Sequence, residues 1–253
     1  MKLAFKFFLL IPLLTLLTLF SFSEKVHADC VAERWEVWPP PGSIIPPNAK
    51  VLVEVYGGFK LKIYNLLNST PQLVFGKKNI KLYSYPEFGF LLTQVLFTPT
   101  SRLPSSTQVT LKWNENQFLS EINPQDRYWK VGSKEDHTPP YWQGVPKIKE
   151  IHHDIFGCGP ARYALVELPV VDENKWVRVF TEVTSLQDPK FKQSFFLIPK
   201  SESNLVVVGH GMCSGAFHLN PGETYQVKFT AFDIAGNKRH APGEPLTILI
   251  PVQ

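Results

Sequence analysis

Leu219-Asn220-Pro221-Gly222-Glu223-Thr224-Tyr225-Gln226-Val227-Lys228-Phe229-Thr230-Ala231-Phe232-Asp233-Ile234-Ala235-Gly236-Asn237 decides the reading of this chain. Pro221-Gly222 is a turn: proline presets one backbone angle and glycine accepts a positive one. Tyr225, Val227, Phe229 and Ala231 then fall on alternate positions, opposite Gln226, Lys228 and Thr230. A period of two is a strand with one face on a core and one in water. Asp233 to Asn237 closes the strand, with Asp and Asn side chains able to cap backbone amides and Gly236 free to take φ > 0.

The same grammar runs outward in both directions. Gln108–Trp113 alternates, as do Val177, Val179 and Val183 against Arg178 and Glu182, and Leu246, Ile248 and Ile250 form a last strand. Pro, Gly, Asn and Ser punctuate these runs, and no stretch beyond the N-terminus shows a helical period. The fold class expected is all-β, as β-sandwiches. The polar stretch Gly132–Pro140 ends in two prolines and reads as a semi-rigid linker. It divides the chain into sandwiches at 29–131 and 141–253. Trp129 and Trp142 flank this linker, where they are expected to fix the angle between the halves.

The first 28 residues read as an address. Lys2 and Lys6 precede an apolar run from Phe7 to Phe22, and Val26 and Ala28 suit the −3 and −1 positions of a cleavage site. The run is short for a membrane span, and Asp29 before Cys30 does not fit a lipidation signal. The expectation is export to the periplasm or beyond, with no span in the mature chain. Of 253 residues, 44% are hydrophobic and 19% charged, which excludes a disordered chain. Removing Lys2, Lys6, Lys25 and Glu24 from 26 basic and 22 acidic residues leaves a net charge of about +2. The basic residues form no stripe, which argues against nucleic acid as a partner. In an oxidising compartment Cys158 and Cys213, both in the second half, are expected to pair, leaving Cys30 over.

The segment Leu219–Asn237 resembles the E–F turn, strand F and F–G turn of fibronectin type III and related Ig-like domains. The resemblance implies a tyrosine corner at Tyr225, with its hydroxyl bonded to backbone upstream, and structural roles for Asp233, Gly236 and Asn237. In the first half, Pro39–Gly42, Ile45–Asn48 before Val51–Tyr56, and Leu96–Pro99 with Leu103–Thr107 before Gln108–Trp113 resemble bacterial Ig-like domains of exported proteins. Such envelope proteins imply binding, adhesion or support rather than a reaction, although fold does not fix function. On this pattern Cys158 opens strand B and Cys213 lies near the start of strand E. The start of B meets the end of E, so either these strand limits or the disulfide must give way.

Chemistry-bearing residues are few. His152, His153, Asp154, Cys158, His210, Cys213 and His218 supply metal-ligand types, which makes a metal-binding protein the third reading, but no short Cys-x-x-Cys or His-x-x-x-His spacing accompanies them. No nucleophile elbow, P-loop, dinucleotide fingerprint or EF-hand loop is present, so the chain is expected not to be an enzyme and to need no cofactor. Asp172, Asp188 and Asp233 sit in turns that suit either calcium or plain Asx capping. Trp35 and Trp38, placed before the first strand, are the tryptophans expected to be freest to meet a partner. The partners expected are an envelope protein or, as the alternative, a cell-wall glycan.

Overall fold

A computed structural model describes residues 34–56, 70–112, 127–157, 159–200 and 203–252. The expected leader, Cys30, Trp113 and Cys158 lie outside the described residues. Within them there is no α-helix, and the chain is all-β.

The first half contains β1 (Arg34–Trp38), β2 (Ile44–Ile45), β3 (Val51–Tyr56), β4 (Gln72–Phe75), β5 (Lys78–Phe88), β6 (Leu92–Pro99), β7 (Gln108–Lys112) and β8 (Tyr128–Val131). They hydrogen-bond in the order β1-β3-β6-β5-β4-β7-β8-β2. The 11-residue β5 makes this one ribbon into two layers. Its first part pairs with β4, Leu73 opposite Ile80, and its second part pairs with β6, Leu82 opposite Pro99. A strand that changes sheets is the usual corner of a sandwich. Val51, Val53, Val55, Val95 and Phe97 share one core with Leu73, Val109, Leu111 and Trp129.

The second half contains β9 (Tyr141–Trp142), β10 (Lys147–Phe156), β11 (Gly159–Glu167), β12 (Val170–Val171), β13 (Arg178–Ser185), β14 (Lys192–Leu197), β15 (Leu205–His210), β16 (Thr224–Phe232), β17 (Lys238–His240) and β18 (Leu246–Leu249). One sheet is β10-β11-β15. A second is β14-β13-β16, with β17 and β18 both on β16, and β9 pairs with β12 in a small third. Ala164, Val166, Val206 and Val208 share a core with Val179, Val183, Tyr225 and Val227.

Residues 219–237 are built as follows. Tyr225 is buried; its hydroxyl accepts the Asn220 amide at 2.8 Å and donates to Glu223 Oε2 at 2.7 Å. Burial, followed by the Glu223 contacts, pushes this phenol up to about 12. Asp233 Oδ1 accepts the amides of Gly236 at 2.6 Å and Asn237 at 2.8 Å, which satisfies two donors that no strand reaches.

Three expectations need correction. Trp129 and Trp142 do not set the angle between the halves: each is buried in its own core, Trp129 donating to Pro39 O and Trp142 to Arg239 O. Arg178, on the polar phase of its strand, is not in water but 1% exposed. Cys213 does not lie near the start of the E-like strand: β15 ends at His210, three residues before it.

Candidate functional site

The candidate site is the junction of the two halves, which begins as an edge-strand problem. β14 lies at the edge of its sheet, so alternate amides and carbonyls have no strand partner. Gln94 of β6, 0% exposed, takes that partner's place. Its Nε2 donates to Phe196 O at 2.7 Å and its Oε1 accepts the Phe196 amide at 3.3 Å. One side-chain amide thus substitutes for one residue of a missing strand. Glu54 holds the same Nε2 and also accepts the Tyr56 hydroxyl.

Period two along β1, β3 and β6 puts Trp38, Leu52 and Gln94 on the face away from the first core. The second half covers that face. Phe196 joins the first half's buried cluster, with Trp176, Phe180, Ile198 and Phe232 packed against it. Arg178 is enclosed there, its guanidinium 5.4 Å from the Trp38 ring centre and 5.0 Å from that of Phe196. A desolvated cation on two rings gains about 2 kcal/mol or more. Burial brings Arg178 down to about 10, partly opposed by Asp233.

A second contact uses the same device. Asn48 Nδ2 donates to Asp136 O at 2.7 Å, and Asn48 Oδ1 accepts the Asp136 amide at 3.0 Å. The linker is therefore clamped at Asp136. Asn237 Nδ2 also reaches Asp136 O, Asn174 Nδ2 donates to its carboxylate, and the Lys50 amide donates to Ile234 O. Gly236 takes φ +96°, a backbone angle that residues with a side chain rarely adopt, with Lys50 Nζ close beside it.

These contacts gather Asp136, Asp172 and Asp233, whose carboxylate oxygens lie within 4.8 Å of one another. Among the described residues this is the acidic group whose spacing could hold a metal. Its charge is already countered: Asp233 acts on both Lys50 and Arg178, and burial lowers Lys50. Asx capping occupies the oxygens, Asp172 Oδ2 accepting the Asn174 amide, and Asp188, elsewhere, caps Lys190 in the same way. Burial, reinforced by Asp233 and Asp136, raises Asp172 to about 6, and burial also raises Asp233.

The third contact is the β5–β6 tip. Phe90 and Leu91 donate their amides to Ala216 O at 2.8 Å and Gly215 O at 2.9 Å. A Cβ on Gly89 would stand 2.9 Å from Phe195 and 3.0 Å from Ala216 O, so only glycine lets the tip seat this closely.

Beside these contacts runs a groove of about 1200 Å³, bordered by both halves. Glu36, Glu54 and Tyr56 line it from the first half, and Tyr163, Trp176 and Val207 from the second. Trp38 lies at its base but is 6% exposed beneath Arg178, and Trp35 is half-buried against the first core. Both belong to β1, so neither is the outward-facing residue that the sequence suggests. His210 and His218 come together with ring planes 5° apart. His152 does not join them. It pairs with Tyr163 on the opposite face of the sheet, where it stacks on that ring and bonds to Glu150. Cys213 is disulfide-bonded, with its partner outside the described residues. Gln94, Arg178, Asn48 and Asp136 are the residues that sequence reasoning misses.

No family model and no curated protein matches the chain. Solved structures with a weak likeness include type I pullulanase from Bacillus subtilis str. 168 complexed with maltose (9% identity, 88% of this chain and 28% of that one, TM-score 0.24). Another is pullulanase complexed with maltotriose from Anoxybacillus sp. LM18-11 (8%, 82% and 25%, TM-score 0.27). A third is the tandem Ig repeats of Dlar (8%, 85% and 97%, TM-score 0.23). The chain spans about a quarter of the length of the two pullulanases.

Gln94→Ala strands the amide and carbonyl of Phe196 inside the junction. Urea unfolding should show a loss of about 2–6 kcal/mol, at about 1–3 for each orphaned group. Asp172→Asn keeps the acceptor for Asn174 and removes a charge. The folded pKa of Asp172 lies above its unfolded value of 3.8, so its ionised form costs stability fully above about pH 6 and not at all below about pH 4. The variant should melt higher at neutral pH, by on the order of 1 kcal/mol after solvent screening, and this gain should vanish on acidification towards about pH 4.

Proposed function

We propose that the protein is a non-catalytic binding or scaffold module, exported to the cell envelope, which takes an extended segment of a partner protein into the groove between its halves. The observation that carries this reading is the edge of β15. Gly209 O accepts the Phe217 amide and Leu205 O accepts the Lys200 amide, both on the side away from β11. Period two turns the amide and carbonyl of Val207 to that side as well. Val207 is 37% exposed and borders the groove. An edge strand with an unoccupied register position can accept a strand from a partner, backbone bonds giving affinity and alternate pockets giving selectivity. Cys158 is the partner proposed for Cys213, a staple across the β11–β15 end of the same sheet.

A glycan is the second reading, favoured by different residues from those the sequence suggests. Tyr83 and Tyr85 are 60% and 55% exposed, two apart on β5 and so on one face about 7 Å apart. Exposed aromatic rings at strand spacing can stack on sugars.

A crosslinking pull-down of tagged mature protein from its native envelope extract, with and without cell-wall saccharides, tests both. The primary reading expects saturable capture of one protein, unaffected by sugar. Val207→Pro should reduce that capture about tenfold, because it removes the outward donor while sparing the ladder to β11. Capture abolished by saccharide, or by Tyr83→Ala and not by Val207→Pro, would replace the primary reading with the glycan one.

A further inference from the structure

The β5–β6 tip of the first half rests on two imidazoles of the second. The Phe90 ring lies 4.9 Å from His210 and 4.6 Å from His218, tilted on both, and the imidazoles stand 5.7 Å apart in parallel planes. His210 is 3% exposed. Its Nδ1 lies 2.9 Å from Gly211 O and must donate, because a carbonyl only accepts. The neutral ring therefore carries its proton on Nδ1, and a second proton would go to Nε2. That atom is buried with no hydrogen-bond partner, as is Nδ1 of His218.

The Gly211 carbonyl favours a charge on this ring, but burial outweighs it. From β11, Arg162 sits opposite His210, held by His153 Nε2 of β10 and Leu219 O, and acts against protonation. His218 acts in the same direction. Burial raises the pKa of Glu87, the carboxyl of the hairpin itself. The second half clamps its own side: the Gln193 amide holds both the amide and the carbonyl of His218. The tip is held there by the Phe90 and Leu91 amides and by the Phe90 ring contacts. Among the described residues no third His, Cys, Asp or Glu joins the two imidazoles at metal-binding spacing.

We propose that His210, His218 and Phe90 form an acid-sensitive latch: the β5–β6 tip is docked on the second half at neutral pH and released when His210 takes up a proton in mildly acidic medium. Burial lowers the His210 pKa below its ordinary 6.5. Its contribution is therefore complete above that value and is lost as pH falls through the lowered folded one. Gly215 and Ala216 receive the tip and also border the groove, so release alters the wall of that groove. The latch stands on its own geometry, whatever the groove binds.

Hydrogen exchange of the full chain between about pH 7.5 and about pH 5, corrected for intrinsic rates, tests this. Protection in peptides spanning 86–92 and 209–218 should fall up to about tenfold per pH unit, the slope for one proton. Peptides from β3 and β16 should keep theirs. The double variant His210→Phe, His218→Phe should show no such response. Equal protection at both pH values, uniform loss across both halves, or an undiminished response in the variant would overturn the latch. Imidazole NMR of the wild-type chain gives a reading that does not depend on the variant folding: a His210 pKa at or above 6.5 would also overturn it.

Discussion

Gln94 is the residue on which the architecture turns. A sandwich exposes edge strands, and a buried edge with unpaired amides and carbonyls is expensive. β14 is such an edge at the junction, and the Gln94 amide supplies both the donor and the acceptor that Phe196 lacks. Asn48 does the same for Asp136 in the linker, and Gln193 for His218 within the second half. A side-chain amide carries the donor and acceptor pair of a peptide group, so it can end a sheet against another body without leaving orphans. Both inter-half clamps need their partners placed to within a hydrogen bond, which fixes one half against the other.

That constraint explains the charges around it. Arg178 lies over the Trp38 and Phe196 rings with Asp233 favouring its charge, while its Nε and Nη1 are buried without a hydrogen-bond partner. Asp136, Asp172 and Asp233 are crowded because the clamp draws the linker, the loop after β12 and the turn after β16 to one point. Burial, with the neighbouring carboxylates, raises Asp172 and Asp233, and burial with Arg178 lowers Lys50. The groove follows from the same geometry: the halves meet over the outer face of β1-β3-β6, and the part left uncovered beside Glu54 and Tyr56 becomes the cleft.

The fold was legible where local chemistry decides it. The strand from Tyr225 to Ala231, its Pro-Gly entry and its Asp233–Asn237 exit announce themselves by period and by turn residues. The junction was not legible, because it uses residues that local rules send to water. Arg178 stands on the polar phase of β13, and only the second body turns that phase into an interior. Gln94 sits between Thr93 and Val95 with nothing in its neighbourhood to mark it as a strand surrogate. Trp38 misled for the opposite reason: a large aromatic near the N-terminus reads as a free face, yet it lies in β1 beneath Arg178. His210 and His218, eight positions apart, meet because the bridge from His210 to Gly215 folds the loop back.

Scanning calorimetry of the full chain tests most directly whether these clamps make the two halves one body. Tandem sandwiches on a loose linker unfold independently, whereas halves sharing a buried cluster unfold together. A single transition is predicted, with calorimetric and van't Hoff enthalpies equal. Two transitions, or a calorimetric enthalpy about twice the van't Hoff value, would contradict the account.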